Sequence, residues 1–271
     1  MINIINWNIR GMISKGASER LVKLIRIHKA QMVILQEPFL SSDKLEDYRR
    51  FLGFDQAVSN KCSKLWCFWN NVLECEIIDN SRQKITLKIK EDEHTYWITA
   101  IYARNNVAKR RKLWTKLRSM SNRVNGPWTI LGDFKTIMAP EEKKGGTPHT
   151  LSKSADFIRC MDDCRMSDLG YTGNPFTWCN GSRGRRRINT RLDRVLINED
   201  WAEKFQTNRV DHHAKSRSDH SLITFKFGNK NPKVIKYFRF LNFWTKQSDY
   251  NSLTESTWNK EVQGNDQWIL Q

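Results

Sequence analysis

The side chains that could do chemistry in this sequence stand at the ends of apolar runs. Asn8 lies at the end of Ile2–Ile9, Glu37 follows Met32-Val33-Ile34-Leu35-Gln36, Tyr102 ends Tyr96–Tyr102, and Asp133 follows Trp128–Leu131 and Gly132. Ligands of α/β proteins collect at such places, because a side chain at a strand end projects from a rigid frame. Together these groups can hold a hard divalent cation and move protons. Mg²⁺ favours carboxylate and carbonyl oxygens plus water, so Glu37 suits a principal ligand and Asn8 a second oxygen contact. One polar residue after a strand means little, since strands commonly end that way; the weight lies in the set.

The elements that must position this set read as an α/β chain. Ile2–Ile9 is β-rich and stops at Arg10-Gly11; a basic stretch with Leu21, Leu24, Ile25 and Ile27 at helical spacing follows, and then the buried-type strand Met32–Leu35. Strand, helix, strand is the opening cadence of an α/β domain. Leu65–Asn70, Leu73–Ile78, Lys84–Ile89 and Tyr96–Tyr102 predict a meander, and Asn105–Val124 a basic helix with Leu113, Leu117 and Met120 on one face. Trp128–Leu131 predicts a second buried strand, Ser154–Arg165 a helix, and Thr177-Trp178, Arg191–Ile197 and Leu222–Phe227 further strands. Trp7 is expected in the core, and the adjacent His212 and His213 at the surface.

Composition narrows the partner. The 271 residues carry 46 Lys+Arg against 29 Asp+Glu, a net charge of +17. Such an excess points first to nucleic acid and second to an anionic membrane surface. Six cysteines without paired zinc spacing imply structural thiols rather than a disulfide framework or a metal knot. No stretch approaches the ~20 apolar residues of a membrane span. The segment after Met1 reads as strand rather than leader, so the expected location is intracellular, with the nucleus as the natural compartment for a DNA partner.

Read in order, Trp7-Asn8-Ile9-Arg10-Gly11, Leu35-Gln36-Glu37, Ile101-Tyr102-Ala103, Leu131-Gly132-Asp133-Phe134, Arg191-Leu192-Asp193-Arg194 and Ser218-Asp219-His220 resemble the motif series of the endonuclease/exonuclease/phosphatase superfamily. That superfamily includes apurinic-site endonucleases, pancreatic-type deoxyribonuclease and inositol polyphosphate phosphatases. Asn174-Pro175-Phe176-Thr177-Trp178, followed by a basic turn and Arg191-Leu192-Asp193-Arg194, is similar to the LINE-type, non-LTR retrotransposon endonucleases. The resemblance covers residues 1–228 and implies a four-layer αββα sandwich of two mostly antiparallel sheets flanked by helices. It further implies that Asp133 positions and deprotonates the attacking water, that Asp193 orients His220, that protonated His220 stabilises the pentacovalent phosphate, and that Tyr102 offers its hydroxyl to phosphate. Glu37, Asn8 and Asp219 are the expected surroundings of a Mg²⁺ ion, with Mn²⁺ as a substitute. Arg10, Lys135, Thr177, Arg191 and Ser218 are the expected DNA contacts. Residues 229–271 form an appended segment with an expected amphipathic helix, and Tyr237–Trp244 resembles the block leading toward a reverse transcriptase, although no polymerase motif follows.

The sequence departs from the family block at one place that matters. Gly132-Asp133-Phe134-Lys135 stands where the family has Gly-Asp-x-Asn. An amide both donates and accepts, so Asn can hold phosphate while orienting water; lysine only donates. Its cation is expected to pair with Asp133 and lower that carboxyl's pKa. Arg10, where apurinic-site enzymes often carry an acid, leaves fewer carboxylates for the metal. Arg183–Arg187 lies in a turn leading toward Asp193 and is expected on the DNA backbone; Lys109–Lys112 is as readily a solvated helix face. The resulting expectation is a monomeric, Mg²⁺-dependent endonuclease that nicks DNA and needs no membrane or protein partner. A catalytically impaired DNA-binding relic is the alternative, and a phosphoester phosphatase is disfavoured by the charge.

Overall fold

A computed structural model of the chain describes residues 1–12, 15–91, 94–215, 218–229, 245 and 247–259. The chain divides into two compact units, Met1–Val234 and Ile235–Gln271. The second unit carries helix α6 (Tyr250–Trp258). The block Tyr237–Trp244 and its expected resemblance lie outside the described residues.

Two large sheets build the first unit. One has the order β11 (Thr172–Gly173), β15 (Thr207–His212), β16 (Ile223–Gly228), β1 (Ile2–Asn8), β2 (Met32–Gln36), β4 (Leu65–Trp69), β3 (Gln56–Ser59). The other runs β10 (Ser167–Asp168), β14 (Asp193–Ile197), β8 (Trp128–Asp133), β7 (His94–Tyr102), β6 (Lys84–Glu91), β5 (Glu74–Asn80). A small third sheet joins β12 (Trp178–Cys179), β13 (Asn189–Thr190) and β9 (Lys143–Lys144).

Side chains on a strand alternate between faces, and here the central strands bury both, which is why they read as continuous apolar runs. Ile4, Ile34 and Cys67 of the first sheet meet Leu87, Ile98, Ala100 and Leu131 of the second in the central core. On the outer face of the first sheet, Ile5, Trp7, Val33, Leu35 and Trp66 pack with Leu21 of α1 (Lys15–His28) and Leu52 of α2 (Leu45–Leu52). On the outer face of the second, Ile101 and Ile130 pack with Leu113, Trp114 and Leu117 of α3 (Val107–Ser121) and Phe157 and Cys160 of α4 (Ala155–Asp163). The layers are therefore helix, sheet, sheet, helix, as the resemblance implies. A short helix, α5 (Glu199–Lys204), follows β14, with the Asn198 side chain capping it by accepting from the Trp201 amide.

Register carries the polar strand ends to one edge of the sandwich. β1 runs parallel to β2 with Asn8 opposite Gln36, so the next residue, Glu37, lies beside Asn8. β7 runs parallel to β8 with Tyr102 opposite Asp133, and antiparallel β14 starts with Asp193 opposite Asp133. Gly132 serves the fold at this edge. Its φ is +139° and a Cβ there would lie 2.1 Å from the Ile101 carbonyl oxygen, so only glycine lets β7 and β8 close at the site.

Among the elements with no counterpart in the expected series are α2, β3 and β15. α2 buries only Leu52, β3 is largely half-exposed, and β15 buries only Val210 and His212. Without a continuous apolar run they offer little periodic signal. His212, expected at the surface, is buried: its ring stacks on Tyr171 at 4.4 Å and 7°, and its Nδ1 faces the Asn174 carbonyl at 2.8 Å. Burial depresses its pKa to about 4, so the ring is neutral and Nδ1–H donates to that carbonyl. His213 is half-buried against His28. Trp7 lies in the core, and the six cysteines are free, with Cys67, Cys160, Cys164 and Cys179 buried.

Candidate active site

Asn8 is the hub of the edge where these strands end. Fully buried, it donates through Nδ2 to Asp133 Oδ2 at 3.0 Å and Glu37 Oε1 at 3.3 Å, and lies 3.4 Å from His220 Nε2. Its Oδ1 is buried and has no hydrogen-bond partner among the described residues. His220 sits with Nδ1 2.8 Å from Asp193 Oδ2 and Nε2 3.7 Å from Asp133 Oδ2. Ser218 fixes the loop that carries it: Ser218 Oγ donates to the Asn8 carbonyl at 2.7 Å and accepts the His220 amide at 3.1 Å. Thr177 fixes Asp193 in the same way, its Oγ1 accepting the amides of Leu192 and Asp193 at 2.9 and 3.0 Å.

Glu37 takes the Tyr102 hydroxyl on Oε1 at 2.6 Å. Two side-chain cations also approach it: Lys135 Nζ at 3.5 Å from Oε1 and Arg10 Nε at 3.6 Å from Oε2. Lys135 Nζ is closer to Asp133 Oδ2, at 2.7 Å, and lies 5.5 Å from the Tyr102 ring centroid. Arg10 reaches Asp219 at 2.6 Å, and Asp219 also accepts the Trp178 indole at 2.8 Å. Arg10, Glu37 and Lys135 all hold left-handed backbone, with φ of 50°, 51° and 51°. Such conformations cost non-glycine residues roughly 1–2 kcal/mol and gather where a site over-determines its backbone.

The electrostatics separate the two buried aspartates. Burial pushes the Asp133 carboxyl above its ordinary range, and nearby Asp193 adds to this against the pull of Lys135 and His220. The expected lowering by Lys135 is thus present but outweighed. Burial also works against Asp193, yet His220 and the Thr177 hydroxyl hold its pKa below the ordinary value. His220 pays desolvation, but Asp193 and Asp133 override it and keep the imidazolium favoured above its usual pKa. Glu37 is likewise held low despite burial, by the Tyr102 hydroxyl and Lys135. Two carboxylates driven apart around one imidazole suit a proton acceptor, Asp133, and an anionic orienter, Asp193.

The expected DNA contacts divide sharply. Arg10 keeps about half of its side chain exposed, whereas Lys135 exposes only 11%. Thr177 and Ser218 are buried and hold backbone. Arg191 is buried too, its guanidinium bonded to Glu142 at 3.0 Å and Asp168 at 2.7 Å and stacked 4.6 Å over Tyr171. It is engaged inside the protein rather than offered to phosphate. Arg183, Arg185, Arg186 and Arg187 are exposed on the loop between β12 and β13. That loop is rooted in the site, since the amide of Cys179 donates to the Asp219 carbonyl at 3.0 Å and Trp178 bridges to His220. Of the other basic run, Arg110 is buried against the Arg104 and Asn105 carbonyls and Arg111 pairs with Asp156. Glu142, Asp168 and the Trp178 indole escaped the sequence reading; only Trp178 lay in a block that could have signalled it.

The donor chemistry fits a hard divalent ion. Glu37 and Asn8 Oδ1 offer carboxylate and carbonyl oxygens at the centre, and the unpartnered, buried Oδ1 is the kind of acceptor that a cation satisfies. Asp133, Asp193 and His220 also each bring one ligand atom within 4.8 Å of the others.

No family model matches the sequence, and no curated protein is similar enough to match it. Solved structures do share its fold. The endonuclease domain of TRAS1, a telomere-specific non-LTR retrotransposon, superposes with a TM-score of 0.63 and 16% identity, over 85% of this chain and all of that one. The 3′ phosphatase NExo from Neisseria, bound to product DNA hairpin, gives 0.66 and 18%, over 84% of this chain and all of its own. The AP endonuclease LMAP from Leishmania major gives 0.66 and 13%, over 83% of this chain and 86% of its own.

Proposed function

We propose that this chain, which has the endonuclease/exonuclease/phosphatase fold, hydrolyses phosphodiester bonds in DNA and nicks one strand in the manner of a retrotransposon endonuclease. The observation that carries the proposal is the buried Asp193–His220 contact of 2.8 Å, aimed at Asp133 across the Asn8 amide. Asp133, with its raised pKa, accepts a proton from the attacking water. His220, kept cationic by Asp193, stabilises charge on the phosphoryl oxygens, and Tyr102 orients the phosphate through its hydroxyl. Glu37 and Asn8 would hold Mg²⁺ or Mn²⁺, which when bound supplies positive charge to the phosphate oxygens. The net charge of +17 and the exposed Arg183–Arg187 loop beside the site favour a DNA backbone over a small phosphoester. No described helix is long and apolar enough to cross a membrane. The protein acts as a monomer in this proposal, and residues 229–271 are an appended segment that resembles the linker toward a reverse transcriptase.

One observation favours the alternative of an impaired DNA-binding relic. Lys135 Nζ stands 2.7 Å from the Asp133 oxygen that also accepts from Asn8, so the proton acceptor is engaged before any water arrives. Conversion of supercoiled plasmid to open circles decides between the two. The native chain should nick in Mg²⁺ and stop in EDTA, and His220→Ala should be inert. Retained DNA binding with no nicking in Mg²⁺ or Mn²⁺ favours the relic.

A further inference from the structure

We propose that Lys135 is a tethered cation that competes with the divalent ion for Glu37 while it engages Asp133, so that metal enters only when Lys135 withdraws. The proposal rests on the nuclease assignment of the same site and adds to it the control of metal occupancy. Three observations carry it. Lys135 Nζ spans the two carboxylates that a bound cation and an attacking water would need, at 3.5 Å from Glu37 Oε1 and 2.7 Å from Asp133 Oδ2. The ammonium is almost wholly enclosed, with 11% of the side chain exposed, so it is a built-in part of the site rather than a surface charge passing over it. The backbone is committed to this pose: Lys135 has a φ of 51°, and its amide donates to Asp133 Oδ1 at 3.0 Å.

The charge inventory points the same way. Glu37, Asp133, Asp193 and Asp219 face Lys135, Arg10 and His220, each carboxylate touching at least one of these groups. A site so nearly neutral attracts a divalent ion weakly, and a bound ion at Glu37 would share an enclosed space with an ammonium that cannot act as its ligand. Asn8 Oδ1 meanwhile stays without a partner among the described residues. Arg10 differs from Lys135 in this respect, because half of its side chain is exposed and it can swing into solvent.

Equilibrium Mn²⁺ titration of the whole chain, followed by the electron paramagnetic resonance signal of the free ion and run without DNA, tests the proposal directly. Lys135→Asn and Lys135→Met should each bind one equivalent of Mn²⁺ at least tenfold more tightly than the native chain, and Glu37→Gln placed in either variant should remove that equivalent. Circular dichroism melts establish that each variant is folded. Equal Mn²⁺ affinity in the native chain and both variants overturns the proposal, as does absence of Mn²⁺ binding in all of them. Because no DNA is present, the outcome stands apart from the nuclease assignment: nicking with equal affinities sinks only the competition, and tighter Mn²⁺ binding without nicking sinks only the nuclease.

Discussion

Two buried clusters of charge lie on either side of Asp193, and they are built to opposite rules. In the first, Glu142 and Asp168 meet Arg191 and Arg194, and all four carboxylate oxygens are bonded: to the two guanidinium groups, and in addition to the amides of Met138 and Gly170. Arg194 is fully buried and packs 5.6 Å from the Phe157 ring. In the second, Asn8 Oδ1, Asp193 Oδ1 and Asp219 Oδ1 are all buried without partners among the described residues, and three residues hold left-handed backbone. Adjacent residues of a strand point to opposite faces, so Asp193 and Arg194 feed different clusters from one short segment. The first cluster satisfies every carboxylate oxygen and leaves only the Nε atoms of Arg191 and Arg194 without partners among the described residues, whereas the second leaves acceptor oxygens unmet at the edge of the site. Unsatisfied buried polar atoms cost stability, and acceptor oxygens are the kind that a cation satisfies.

That contrast predicts a division between activity and stability. Asp193→Asn should cut nicking by about 10⁴-fold, the scale seen when an orienting aspartate beside a catalytic histidine is neutralised, while changing the urea midpoint little. Arg194→Met should do the reverse, lowering stability by roughly 3–5 kcal/mol because two carboxylates are left buried without their main partner. Comparable urea midpoints for the two variants would erase the distinction between the clusters.

A smaller effect follows from acid. Burial alone would raise the Asp168 and Glu142 pKa values, but Arg191 and Arg194 hold both below their ordinary values of 3.8 and 4.5. A carboxyl with a depressed folded pKa stabilises the protein above its unfolded pKa, and that stability is lost as the pH falls through the folded value. The urea midpoint of the native chain should therefore drop as the pH falls below the ordinary values of these two carboxyls, and the drop should shrink in Arg194→Met. Asp133, whose pKa is raised, acts in the opposite sense and tempers the loss. An equally steep acid transition in Arg194→Met would assign the acid sensitivity elsewhere.

The two clusters were also unequally legible in the sequence. Asn8, Glu37, Tyr102 and Asp133 could be found because each ends a buried apolar run, and parallel pairing of β1 with β2 and β7 with β8 carries such ends to one edge. Asp193 and His220 stand 27 residues apart and were joined only through the motif resemblance. The first cluster was invisible: Glu142 lies 52 residues before Arg194, and nothing local marks them as partners. Arg191 and Thr177 accordingly read as DNA contacts, since a cation or hydroxyl beside a site motif carries no sign of whether it faces solvent. Lys135 was the easier case, being two residues from Asp133 and in reach of it whatever the fold.

The most direct test of the account compares initial nicking rates of the native chain and Lys135→Asn at matched Mg²⁺ concentrations, below saturation of the native chain, on the same supercoiled plasmid. A misplaced catalytic hydrogen bond is worth roughly 10²–10³ in rate. Lys135→Asn should therefore nick faster than the native chain by about that factor, and adding His220→Ala should abolish the gain. A native rate equal to that of Lys135→Asn would contradict the claim that one lysine holds an otherwise complete site in check.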